Sequence, residues 1–425
     1  MSKQKLMSIV RKAVIVGLLV LALLLGQETG YFPGLGEKLR PAASAGMELT
    51  AGTEPGSAKA NGSVQPLAAV VCLPEGGRFG AVYDGETVMA VLHRFSADLG
   101  EALGSAGAPT ALTEETFFSD YLSGCGVFLR FYCPQPLELL TAWLGAEMGS
   151  TAAAHRAELL FLRTAAEGVT LCYRTETGDY YCCDTAVSPE GLRSRAVEYV
   201  PNSTCFAYEN ELLFGCDGCT VVPEGTASAV TVKSGIPLPA GAELDELLQA
   251  MGMNVYVASS YSEADGTVVF VDEEATLRLS PSGNLYFRRS VLPAEIGMRN
   301  LTSAVSAAWQ TAERSVGRSC GDAELILTGL SGGDTQRSVT VQFDYAVDGI
   351  PVRLASGHAA EIVMRDNQVI QARLNFRRCT RTEETALLLP FLQANAIAGA
   401  EQADAALVYA DPGETMNCIW VKADG

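Results

Sequence analysis

An uncharged apolar run, Ala13 to Gly26 (AVIVGLLVLALLLG), follows the basic residues Lys3, Lys5, Arg11 and Lys12 and constrains everything after it. A basic flank ahead of an apolar core is the pattern of an export signal. The positive-inside rule then places residues 1–12 in the cytoplasm and the chain beyond Gly26 outside. A helix over this run spans roughly 21 Å at about 1.5 Å per residue, short of the roughly 30 Å hydrocarbon core. Ile9 and Val10, with Arg11 and Lys12 reaching back to the head groups, lengthen the candidate span. A cleavage site needs small residues, and Leu24 and Leu25 fit badly; Ala43-Ser44-Ala45 fits but lies far beyond the run. The expectation is an uncleaved single-pass anchor in the cell membrane, with an extracytoplasmic body.

That body is acidic. Net charge is −19, and the basic leader only masks how acidic the remainder is. Phosphates and anionic head groups would be repelled, so nucleic acid is excluded as a partner and the body is not expected to bind membranes peripherally. All 12 cysteines lie after the apolar run. An exported chain permits disulfides, yet Cys72 and Cys172 sit in apolar strand-like runs and read as small core side chains. The sequence leaves their redox state open.

Residues 27–66, rich in Gly, Ala, Pro, Ser, Thr and Glu, read as a flexible stalk. An N-terminal α+β domain is expected over 67–235. It opens on short strands and a helix from Glu86 to Leu103, with Val88, Val91, Leu92, Phe95 and Leu99 at helical spacing. Thr113 is a candidate N-cap, Gly126–Cys133 alternates as a strand and Leu137–Leu144 reads as a helix. Ser234–Ala242 is a candidate hinge.

A weak internal repeat follows at a spacing of 82–84 residues. Gly283–Arg289 aligns with Asn367–Arg373, the helix Arg299–Arg314 with a helix expected over Thr382–Ile397, and Asp322–Thr328 with Asp404–Ala410. A further strand answers each, Ser338–Tyr345 and Asn417–Lys422. The expected fold class is α+β: an N-terminal membrane helix, a mixed first domain, then two helix-on-antiparallel-sheet repeats. The first module covers 243–381 and the second, partial one 382–425, packed on the first. A unit lacking its last strands leaves a bare sheet edge, to be covered by its neighbour or by a partner.

Catalytic signals are sparse. Gly329-Leu330-Ser331-Gly332-Gly333 matches G-x-S-x-G, but the next segment, Ser338–Phe343, is strand-like where a nucleophile elbow needs a helix. His93, His155 and His358 have no metal spacing; each reads as a solvent-facing or satisfied polar side chain. Cys216-x-x-Cys219 with the vicinal Cys182-Cys183 is the one thiol cluster that two converging hairpins would turn into a zinc or redox site. A local disulfide or inert thiols fit it better. No catalytic residue, cofactor or metal is expected, and the chain is not expected to be an enzyme.

The stretch Val341–Val352 (VQFDYAVDGIPV), the strands Ala360–Val363 and Asn367–Ile370, and Leu388-Leu389-Pro390 together resemble the YycH/YycI type of extracytoplasmic regulator of Gram-positive bacteria. The resemblance covers roughly 255–425 and the N-terminal topology. It implies regulation of a cell-envelope sensor histidine kinase of a two-component system by direct contact, partly through the membrane helix. The implied partner is that kinase or a homologous regulator. The alternatives are a cell-envelope hydrolase and a secreted PepSY- or cystatin-like inhibitor module.

Overall fold

A computed structural model of the chain describes residues 64–422, apart from 166–167, 214, 224–227, 291–300, 333–337, 366, 398–403 and 412. The expected tail 1–12, the span Ala13–Gly26 and residues 27–63 of the expected stalk lie outside the described residues.

The expected fold class is corrected. Among the described residues no helix is long and apolar enough to cross a membrane. The described residues are mostly β, 44% strand against 26% helix, so continuous sheets rather than paired helix-on-sheet modules organise them.

The first lobe is built on a 7-stranded antiparallel sheet among the described residues. Its spatial order is Arg78–Val82, Pro66–Cys72, Gly126–Pro136, Arg156–Ala165, Gly168–Thr175, Tyr180–Thr185 and Thr110–Leu112. Central strands here carry unbroken apolar runs, Ala68–Val71 and Leu159–Leu162, because both faces are covered. One face packs under the helix Gly85–Ser105 through Val88, Val91, Leu92, Phe95 and Leu99. Asp84 caps that helix by accepting from the Thr87 N–H at 3.1 Å. The opposite face packs Val70, Phe128, Phe161 and Cys172 against Phe117 and Phe206.

The second lobe holds a 13-stranded sheet among the described residues. It starts with the meander Ser259–Ser262, Val268–Val271, Ala275–Leu279 and Asn284–Arg289, then runs through Gln368–Asn375, Ala360–Arg365 and Val339–Val347. Ile350–Leu354 follows, and its pairing with Ala405–Asp411 is parallel. Thr415–Lys422, Ser228–Gly235 and Arg378–Leu387 complete the path, while Glu324–Gly332 pairs with Val339–Val347 from the side. The helix Leu301–Arg314 covers one face with Val305, Ala308, Trp309 and Ala312. Its Trp309 meets Phe343 edge-on, with ring centroids 5.3 Å apart. Trp309→Ala is expected to cost about 3–5 kcal/mol of stability, read from the denaturant midpoint; a loss below about 1 kcal/mol would show that the helix is not anchored there.

Two findings replace the expected repeat. The helix aligned over Thr382–Ile397 is strand through Leu387, and only Phe391–Ile397 is helical. Arg378–Leu387 is rich in β-branched Thr and gains ladder partners in Ser228–Gly235, and Pro390 sits just ahead of the short helix that follows. The expected bare edge is also covered: Val232 and Lys233 pair with Met416 and Thr415. The 13 strands therefore form one continuous sheet.

The lobes meet at the tight turn Asp348-Gly349. Both residues have positive φ, 55° and 79°, the two-residue hairpin geometry that Asp-Gly favours. The Gly85 N–H donates to Asp348 O at 3.0 Å, and the Tyr132 hydroxyl donates to Gly349 O at 2.7 Å. A Cβ on Gly349 would lie 2.7 Å from the Gly85 nitrogen, so this contact requires glycine.

Candidate functional site

Where the lobes meet, a cavity of about 390 Å³ opens beside the turn, lined by Tyr83, Tyr132, Thr328, Asp344, Arg353 and His358 among others. Asp344 lies on the helix-free face of its strand, because alternation sends Phe343 and Tyr345 into the core. Its carboxylate lies 3.1 Å from His358 Nδ1 and accepts the Thr328 hydroxyl at 2.7 Å and the Ala359 N–H at 3.2 Å. The bond to Asp344 raises the His358 pKa above the ordinary imidazole value, against the opposing effect of burial. An imidazole oriented by a carboxylate can act as a general base. Thr328 points its hydroxyl at the carboxylate, however, so the three are not arranged as nucleophile, base and orienter. The sequence offers His358 only as a solvent-facing or satisfied polar side chain; its partner comes from a strand 14 positions away, and no spacing rule links them.

The other histidines are placed separately. His93 is exposed on the Gly85–Ser105 helix, and His155 Nδ1 lies 2.7 Å from the Tyr173 hydroxyl. Ser331 of the G-x-S-x-G stretch lies within the strand Glu324–Gly332, opposite Thr340.

The thiols Cys182, Cys183, Cys216 and Cys219 are not brought to one point. Strand alternation sends Cys183 into the core beneath the Gly85–Ser105 helix and Cys182 to the opposite face. Cys216 accepts from Asn395 Nδ2 at 3.1 Å, and Cys219 is buried against the Tyr180 hydroxyl at 3.8 Å. Among the described residues no group of three or more His, Cys, Asp or Glu could hold a metal ion.

The residue that matters in Cys216-Asp217-Gly218-Cys219 is the aspartate between the thiols. Arg174 grips both Asp217 oxygens at 2.7 Å, and Arg130 lies 2.9 Å away. The Asp217 N–H donates to Asp404 Oδ1 at 3.1 Å, and Thr220 binds the other Asp404 oxygen. Burial pushes the Asp217 pKa up, but the two guanidinium groups and the Cys219 N–H outweigh it and hold it at about 2. This network ties the first sheet to the segment leading into Ala405–Asp411. A Cβ on Gly218 would come within 2.6 Å of the Phe118 ring, so a larger residue there must displace that ring.

The outer strands of the large sheet differ in character. Arg378–Leu387 ends one side with Arg381, Glu383 and Glu384, charges of the kind that blunt an edge against pairing. Ser259–Ser262 ends the other side without charge. Tyr261 within it is 55% exposed, and Tyr256 and Val257 just ahead of it are 94% and 61% exposed. Among the described residues no strand pairs with its outer side, and such an edge with exposed aromatic side chains is a template for strand addition.

No protein-family profile, characterised protein or solved structure matches this chain. The fold and these two features define, among the described residues, a two-lobed, sheet-dominated chain with an interlobe cavity and an uncharged outer strand at one end of its large sheet.

Proposed function

We propose that the protein is an extracytoplasmic interaction module that regulates a partner by direct contact. The partner class is the membrane sensor histidine kinase implied by the resemblance over 255–425. The observation that carries the reading is the uncharged Ser259–Ser262 edge with Tyr261 exposed within it and Tyr256 and Val257 exposed just ahead of it, since surface of this kind is used for binding. The basic-then-apolar leader supports action outside the cytoplasm. The test places a photo-crosslinking residue at Tyr261, and as a control at Glu383, in the full chain in its own host. Capture of a sensor kinase at Tyr261 but not at Glu383 is expected. Equal capture at both positions, or none at Tyr261, would overturn the reading.

A second reading, a cell-envelope hydrolase, is favoured by the Asp344–His358 pair in the interlobe cavity. It requires that the protein cleave wall polymer and that His358→Ala abolish the cleavage.

A further inference from the structure

We propose that Cys172 and Cys182 form a cross-strand disulfide when the protein meets a small-molecule disulfide oxidant. The two residues lie directly opposite one another on neighbouring strands, Cys172↔Cys182, in a register that runs unbroken from Arg174↔Tyr180. At the hairpin end the Thr175 N–H donates to Asp179 O at 2.9 Å, which makes that a hydrogen-bonded pair. Bonded and non-bonded pairs alternate along an antiparallel ladder, so Arg174/Tyr180 is non-bonded, Tyr173/Tyr181 bonded, and Cys172/Cys182 non-bonded. Non-bonded pairs hold their Cα atoms about 4.5 Å apart, with the side chains at their closest. That falls within the range of about 4.4–6.8 Å that a disulfide accepts.

Both sulfurs also face the same side. Cys172 belongs to the cluster around Phe117 and Phe161, and Cys182 packs against that cluster, while Cys183 lies in the core on the opposite face. The vicinal pair that stood out in the sequence is therefore the wrong one, and the pairing runs across the hairpin. Both cysteines are free thiols in this structure.

Cys182, the less buried of the two, meets the oxidant first. Its thiolate attacks one sulfur of R–S–S–R, forming a protein–S–S–R mixed disulfide and releasing one R–S⁻. Cys172 gives its proton to water and attacks the Cys182 sulfur, releasing the second R–S⁻. Two protein thiols are oxidised to one disulfide, and one oxidant disulfide is reduced to two thiols. Burial pushes the Cys172 thiol up to about 12, so the second step is slow and the mixed disulfide accumulates before the ring closes. The bond staples the Gly168–Thr175 and Tyr180–Thr185 strands and engages the sulfur that lies 3.8 Å from the Tyr121 hydroxyl.

The purified, reduced full-length chain is incubated with oxidised glutathione under native conditions, blocked with maleimide in denaturant, and digested with trypsin. Cleavage at Arg174 separates the two cysteines onto different peptides. The expected product is a Cys172–Cys182 linked pair lighter by two hydrogens, with both sulfurs protected from maleimide. The link should persist in Cys183→Ser and vanish in Cys182→Ser, and Cys172→Ser should leave glutathione on Cys182. Maleimide on both Cys172 and Cys182, or a link from either one to another cysteine such as Cys219, would overturn the proposal. The readout is independent of the regulatory reading.

Discussion

Replacing Asp217 with alanine is expected to lower the unfolding free energy by about 3 kcal/mol or somewhat less, since removing one partner of a largely buried ion pair strands the other. Arg174 keeps Glu158, 2.7 Å away, as a second partner, so the cost stays at the lower end of what such a break produces. Arg130 is left with the Thr220 hydroxyl at 2.8 Å as a neutral contact. The loss would be read from the denaturant midpoint at neutral pH with the slope unchanged. A change below about 1 kcal/mol would mean that the network is not a structural tie between the lobes. Acid supplies an independent check. With its carboxyl held at about 2, below the ordinary value, Asp217 contributes stability that is fully present above the unfolded-state pKa. That contribution fades as pH falls through about 4 and towards about 2. The difference between wild type and Asp217→Asn should therefore shrink by on the order of 2 kcal/mol across that window. A difference independent of pH would sink the assignment.

Gly126→Ala is expected to be the most damaging single methyl in the first lobe, at about 3 kcal/mol or more. The added Cβ would sit 2.0 Å from the Leu162 carbonyl oxygen and 2.8 Å from the Arg163 Cα. Both are backbone atoms of the paired strand, so no rotamer change relieves the overlap. Gly126 pairs with Cys72 on one side and Arg163 on the other, so the strands must separate or the register must slip. Thermal unfolding monitored by circular dichroism would report it. Near wild-type melting, with Gly149→Ala at its solvent-open position of ordinary φ as a comparison, would show that the sheet is looser at this point than the packing implies.

How much of this was legible beforehand depended on the range of the interaction. The helix Gly85–Ser105 could be read because Val88, Val91, Leu92, Phe95 and Leu99 repeat at helical spacing and bury one face. Leu301–Arg314 was legible for the same reason. The Asp348-Gly349 turn is built from residues that tolerate positive φ. The segment after Arg381 is strand through Leu387, not the expected helix. A weak alignment assigned it to a helix, whereas strand pairing with Ser228–Gly235, about 150 residues earlier in the chain, decided for sheet. In Cys216–Cys219 the thiol spacing is the signal a sequence offers, whereas the charge that organises the site is the aspartate between them.

By itself the sequence determined the local elements: helices from apolar period, strands from alternation or apolar runs, and tight turns from Gly and Asp. Only the tertiary structure decided that 13 strands join into one sheet, that Asp344 finds His358, that Asp217 binds two arginines from separate strands, and that Cys182 faces Cys172 rather than its neighbour. The physical reason is the same in each case. Period and turn chemistry act over a few residues along the chain, whereas pairing register and ion networks are settled by packing between segments far apart in sequence.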